Sequence, residues 1–203
     1  KVFAESVEGL FSETYNFMYE VKEAVLCTPS MNCDYNDGFQ LFQLADINNE
    51  SGCEGYGDFT SITTELEQGS EYQLTVTTGY GDQYIKVWID YNDDLDFTED
   101  EVVLNNYIIA PGEAGGSYTE TIGINIPPDV NLGEHILRAK ANWSGDVPVD
   151  PCIETEYGET EDYTVIIVEE ALGLIENEFL LDPIIYPNPT DGNISVDLRY
   201  NYS

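Results

Sequence analysis

Residues 71–89 read Glu71-Tyr72-Gln73-Leu74-Thr75-Val76-Thr77-Thr78-Gly79-Tyr80-Gly81-Asp82-Gln83-Tyr84-Ile85-Lys86-Val87-Trp88-Ile89. Tyr72, Leu74 and Val76 alternate with polar Gln73, Thr75 and Thr77, and Ile85, Val87 and Ile89 alternate with Lys86 and Trp88. A two-residue period places one set of side chains on one face of a strand, so each run predicts a half-buried β-strand. The Gly79-Tyr80-Gly81-Asp82 step between them is a turn. The pattern continues outward. Ile122, Ile124 and Ile126 alternate with Gly123 and Asn125, Leu137, Ala139 and Ala141 with Arg138 and Lys140, and Tyr163, Val165 and Ile167 close the set. Pro127-Pro128-Asp129 marks another turn. Many short alternating strands with turns between them predict a mainly β chain, an antiparallel β-sandwich of jelly-roll or Ig-like type.

The flanks differ from this centre. In residues 1–26, Phe3, Val7, Leu10, Phe11, Met18, Val21 and Val25 recur at three- and four-residue intervals, the spacing of an amphipathic helix, with a strand as the alternative. The sandwich is expected over residues 27–169 and a linker over 170–183. A short strand, the turn Pro187-Asn188-Pro189-Thr190-Asp191-Gly192 and a second strand follow in 184–203, the start of a partial second β unit.

Forty Asp and Glu against six Lys and Arg give a formal net charge of −34. That excludes nucleic-acid binding through phosphate neutralisation and docking on anionic lipid, both of which need clustered cations. With 42% hydrophobic and 12% aromatic residues the chain still has the material for a core. No apolar run approaches the roughly 20 residues that span a bilayer, so no transmembrane segment is expected. The first residues lack a signal-peptide pattern, so any leader is expected to have been removed. Self-repulsion at this charge destabilises a compact state unless salt or divalent cations relieve it.

Cys27, Cys33, Cys53 and Cys152 form an even set without a C-x-x-C pair, and the single His135 has no cysteine beside it. Disulfides in an oxidising compartment fit better than zinc. Four cysteines permit three pairings, and the spacing does not decide among them. The pairing taken as the expectation is Cys27–Cys152 with Cys33–Cys53, the longer bridge contributing roughly 4–5 kcal/mol on chain-entropy grounds.

The strongest chemical signal is Asp90-Tyr91-Asn92-Asp93-Asp94-Leu95-Asp96-Phe97-Thr98-Glu99-Asp100-Glu101. Oxygen ligands at alternate positions let a tight loop wrap a hard cation, and a carboxylate twelve positions in completes the shell. Asp90, Asn92, Asp94 and Asp96 supply the alternation and Glu101 the terminal carboxylate. Leu95 stands where such loops place glycine, and the segment before the loop is a strand. The expectation is a Ca²⁺ loop on a β scaffold, and the alternative is a solvated acidic turn.

Four ordered motifs carry a family resemblance: Cys27-Thr28-Pro29-Ser30, Gly55-Tyr56-Gly57-Asp58-Phe59-Thr60, Val87-Trp88-Ile89-Asp90-Tyr91-Asn92, and Tyr157-Gly158-Glu159-Thr160-Glu161-Asp162-Tyr163-Thr164-Val165. Over about residues 26–168 the chain resembles the GEVED domain of secreted proteins of Bacteroidetes-type bacteria, with Thr160 where the family name has valine. The resemblance implies a sandwich appended to secreted surface proteins and enzymes, usually without chemistry of its own. The tail from Tyr186 resembles the start of a type IX secretion sorting domain, which implies export to the outer surface. On the closing motif, Glu159, Glu161 and Asp162 are expected to approach the Asp90 loop as further ligands; the alternative is that Glu159 and Asp162 cap turns or accept backbone hydrogen bonds.

No nucleophile elbow, H-E-x-x-H helix or phosphate loop is present, and His135 reads as structural or as a surface residue. No catalytic residue is expected. The reading is a secreted, calcium-stabilised surface module for adhesion or tethering, with a protein or glycan ligand. The alternatives are an extracellular filament subunit self-associating by strand addition, and an accessory carbohydrate-binding module. Trp88 and Trp143 are the residues that stack on a sugar in the last case, although core packing is the expectation for both. Asn49, Asn142 and Asn193 head glycosylation sequons expected on exposed loops.

Overall fold

A computed structural model describes residues 25–170, 184–187 and 194–197. The chain divides into two compact units, Lys1–Glu170 and Ala171–Ser203. Nearly all of the helix expected over residues 1–26 and of the linker expected over 170–183 lies outside the described residues.

The first unit is a sandwich of two sheets. Strands β1 (Phe39–Leu44), β2 (Ile47–Asn49), β4 (Glu71–Tyr80) and β7 (Gly115–Asn125) form one sheet in the order β2-β1-β4-β7, antiparallel throughout. Strands β3 (Tyr56–Glu67), β5 (Gln83–Ile89), β6 (Val102–Ile109), β8 (Gly133–Trp143) and β9 (Gly158–Val168) form the other, in the order β3-β9-β8-β5-β6. Here β3 and β9 pair in parallel, with Tyr56 opposite Thr160 and Leu66 opposite Ile167. The purely antiparallel expectation is corrected at this one pairing. Alternation reports which face of a strand is buried, and carries no information on the direction of its neighbour. The second unit contributes a hairpin of β10 (Ile184–Pro187) and β11 (Ile194–Asp197), with Ile184 opposite Asp197.

The alternating apolar residues do face the space between the sheets. Leu74, Val76, Ile122 and Ile124 on one side meet Ile85, Val87, Ile89, Leu137, Val165 and Ile167 on the other in one buried cluster. Phe42 stacks on Tyr163 at 4.8 Å between centroids, so aromatic contact joins the two sheets. The outer face of the five-stranded sheet is also covered. Trp88, Phe97 and Val147 form a second, smaller cluster there, with Leu26, Tyr84, Val102 and Ile136 around it. Disulfides join Cys27 to Cys152 and Cys33 to Cys53, the expected pairing. The first spans 125 positions and ties the segment before the sandwich to the loop between β8 and β9.

Candidate functional site

Three groups of polar side chains stand out against this core, and β9 contributes to two of them. Gly158-Glu159-Thr160-Glu161-Asp162 opens the strand, so the pleat sends Glu159 and Glu161 to one face and Thr160 and Asp162 to the other. Glu159 lies opposite Ala141 and Glu161 opposite Ala139, on the face that looks between the sheets. Both are fully buried. Glu159 accepts hydrogen bonds from the backbone N–H groups of Glu54 (2.9 Å) and Phe39 (3.0 Å). Gly38, at φ +101°, makes room for it: a Cβ there would lie 2.6 Å from both the Cβ and the Oε2 of Glu159. Glu161 Oε2 accepts from the Tyr163 hydroxyl at 2.6 Å, while Glu161 Oε1 is buried with no hydrogen-bond partner. Exposed Glu54 completes the group, with one carboxylate oxygen from each of the three residues lying within 4.8 Å of the other two. Burial raises the Glu161 carboxyl to about 7, against the nearby hydroxyls of Ser51 and Tyr163. Burial raises Glu159 too, and the Glu161 charge adds to it.

On the opposite face the acid is matched by a base. Arg138 grips Asp162 with two bonds of 2.7 Å, from Nε to Oδ1 and from Nη2 to Oδ2, and both residues are fully buried. Tyr56 donates its hydroxyl to Asp162 Oδ2 at 2.9 Å, and Arg138 Nη2 also donates to the Cys27 carbonyl at 2.7 Å. The guanidinium lies 4.8 Å from the centroid of the Phe97 ring. Lys140, one step along β8, donates to the carbonyls of Pro151 and Ile153, and Lys86 sits 4.9 Å over Trp88. Desolvation, then the Arg138 charge, lower the Lys140 ammonium to about 8. Lys86, Arg138 and Lys140 are half of the chain's six cationic side chains, and all three are buried on this outer face.

The third group is the acidic loop after β5. Asp90 is fully buried, and its carboxylate accepts the N–H groups of Asp94 (3.2 Å) and Leu95 (3.0 Å). Asn92 Oδ1 accepts from Asp94 N and Asp94 Oδ1 from Asp96 N, each at 2.9 Å. Leu95 adopts φ +65°, the left-handed conformation that explains why such loops favour glycine there. Glu101 returns to the loop at 3% exposure. Its Oε2 accepts from Thr98 N at 2.8 Å, and its Oε1 is buried without a partner. Burial raises the carboxyls of both Asp90 and Glu101, and the negative charge of Asp94 pushes each the same way. His135 holds the loop down, its Nδ1 lying 3.1 Å from the Asp90 carbonyl and 2.9 Å from Asp93 Oδ1, and its Nε2 3.0 Å from the Asn131 carbonyl.

Asp90, Asn92, Asp94 and Glu101 thus gather in one loop, where Asp96 contributes its backbone N–H and an exposed side chain. Glu159 and Asp162 do not join it. The Asp90 N–H bonds Ile136, which lies opposite Thr164, five positions and roughly 16 Å along β9 from Glu159. Asp162 is spent on Arg138. For Glu159, acceptance of backbone hydrogen bonds is the reading that holds. Glu54 was not foreseen as a partner of the closing motif, since it lies 105 residues away on a loop without periodicity.

A cavity of about 210 Å³ is lined by Tyr35, Asp37, Tyr80, Trp143 and Tyr157. Trp143 packs edge-on against Tyr80 and Tyr157, each at 5.9 Å between centroids, and is 38% exposed, contrary to the expectation that it lies in the core. Trp88 is fully buried. Two sequon asparagines are engaged rather than free on loops: Asn49 Nδ2 donates to Tyr163, and Asn142 Nδ2 to the Gly145 and Asp146 carbonyls.

The GEVED domain matches residues 84–166, a span that takes in the acidic loop and the Gly158–Asp162 motif. Among solved structures, the CARDB domain of a Pyrococcus furiosus protein in complex with di-metal ions matches at 12% identity and a TM-score of 0.29, covering 66% of this chain and 94% of that one. No curated protein matches.

Proposed function

We propose that this chain is a secreted, non-catalytic surface module, used for adhesion or tethering, whose fold is stabilised by Ca²⁺ in the Asp90 loop. The observation that carries the calcium reading is Glu101 Oε1, a buried carboxylate oxygen without a partner beside the equally buried Asp90. An orphaned buried acceptor is costly, and a hard cation is the partner that an all-oxygen loop selects. Two disulfides fit an oxidising, extracellular setting. His135 anchors the loop and all four cysteines are bridged, which fits a module without a histidine or cysteine nucleophile system. The tail's resemblance to a sorting domain supports export by the type IX route. Thermal unfolding tests the calcium reading. Calcium raises the melting temperature of the wild type by several degrees over chelator, and Asp94→Ala removes most of that increment while leaving the chelator value close to wild type. Equal increments in both proteins overturn the loop as the site.

The aromatic cavity favours one ligand class for such a module, a glycan. Exposed aromatic faces stack on sugar rings, and Asp37 at the cavity wall offers a hydrogen-bond acceptor. Sugar titration is expected to quench tryptophan emission, with the response lost in Trp143→Ala because Trp88 is fully buried. Emission unchanged across an oligosaccharide panel leaves protein surfaces as the ligand class.

A further inference from the structure

We infer that Glu54, Glu159 and Glu161 form a second divalent-cation site, separate from the Asp90 loop and placed where the first residues of β9 meet the start of β1. Three carboxylates contribute oxygens within 4.8 Å of one another, a spacing that one hard ion can bridge. Proximity of acids alone would carry little, but two further features point to a ligand. Glu161 is fully buried, and its Oε1 has no partner, although its other oxygen is held at 2.6 Å by Tyr163. The Ser51 hydroxyl lies near this carboxylate, and its hydrogen bond runs to the Phe39 carbonyl at 3.4 Å. Gly38 in turn leaves the space that lets Glu159 reach the cluster, with its carboxylate fixed by two backbone N–H groups before any ion arrives.

Charge makes the same point from outside the cluster. Every Lys and Arg among the described residues, namely Lys86, Arg138 and Lys140, lies on the other face of the sheet. Among the described residues, buried Glu159 and Glu161 thus have no cationic side chain to pair with, and an uncompensated buried carboxylate is among the costliest groups a fold can hold. Exposed Glu54 supplies the third carboxylate from the solvent side, beside a cavity of about 190 Å³ lined in part by Phe39, Ser51 and Gly52. The donors are all oxygen, which selects Ca²⁺ or Mn²⁺ over softer metals.

Calorimetric titration of the full chain with Ca²⁺ tests this, using one variant for each site. Glu54→Gln, at an exposed position that leaves the core intact, is expected to weaken one class of binding at least tenfold, and Glu161→Gln to do the same. Asp94→Ala is expected to leave that class unchanged and to affect only the loop. Loss of cluster binding with loop binding retained supports the second site. The opposite pattern, in which both Glu variants titrate like the wild type, overturns it, whether or not the Asp94 variant has lost its own site. Should Glu161→Gln fail to fold, Glu54→Gln alone decides.

Discussion

Strand β9 delivers acids to both faces of the same sheet, and the two faces treat them differently. On the outer face Asp162 meets Arg138 through two 2.7 Å bonds, and Tyr56, the Cys27 carbonyl and the Phe97 ring complete the surroundings of the pair. On the inner face Glu159 and Glu161 have backbone N–H groups and a tyrosine hydroxyl, one oxygen left over and, among the described residues, no base. The outer arrangement is electrically closed by the chain itself. The inner one has ligands in place and its counter-charge missing. In a protein of net charge −34, all three basic side chains among the described residues are thus buried on the outer face, and none stands on the inner one.

Removing the base from the closed face gives the largest effect. Arg138→Met strands Asp162 in the interior and is expected to cost about 3–5 kcal/mol in urea unfolding. Coupling it to Asp162→Leu should recover much of that loss, since replacing both members of a buried pair by apolar groups is often close to neutral. If the single and double variants unfold at the same urea concentration, the pair is not the closed unit described here.

On the open face the same kind of change has the opposite sign. Glu161→Gln keeps an acceptor for Tyr163 but removes a buried charge that no base offsets. In chelator it is expected to raise stability by about 1 kcal/mol, a shift of a few degrees in melting temperature. In calcium it forfeits only the share of the wild-type gain that the cluster supplies, and keeps the share of the Asp90 loop. A variant less stable than wild type in chelator breaks the contrast between the faces.

How far the residues alone reveal this depends on the kind of contact. The strands at 72–76, 85–89, 122–126, 137–141 and 163–167 were legible because alternation is local; four lie within β4, β5, β8 and β9, and the fifth runs one residue past the end of β7. The parallel β3–β9 pairing was not, because direction leaves no mark on alternation. The same limit governs the sites. The Asp90 loop was readable since its oxygen-bearing side chains fall within twelve consecutive positions, and even Leu95 takes the backbone conformation that its position demands. Asp162 was misplaced because a sequence displays its charge and not the Arg138 opposite. One signal was available for Glu161: extending the alternation of Tyr163 and Val165 backwards puts Glu161 and Glu159 on the buried face. Glu54 joins them only through the fold.

The smallest effect is a pH dependence confined to the closed face. Lys140 is buried under the loop between β8 and β9, and its ammonium is brought from 10.5 down to about 8. It faces Arg138 on its own strand, Lys86 directly opposite on β5, and Asp150 and Glu154 from the covering loop. Desolvation and the Arg138 charge outweigh those acids, so the charged form is penalised in the folded state. Between the two values the unfolded chain binds more protons at this position than the folded one. Stability then rises with pH across that interval, and the penalty is fully present below about 8. The rise should be on the order of 1 kcal/mol, and it ends near the upper value, where the raised pKa of buried Tyr91 and Tyr163 turns the dependence downward. Lys140→Met removes the slope and adds stability at neutral pH. A wild type whose melting temperature is flat from pH 8 to 10 would mean that the Pro151 and Ile153 carbonyls and the two acids stabilise the ammonium enough to offset its burial. The outer face would then be closed for its lysine as completely as for its arginine.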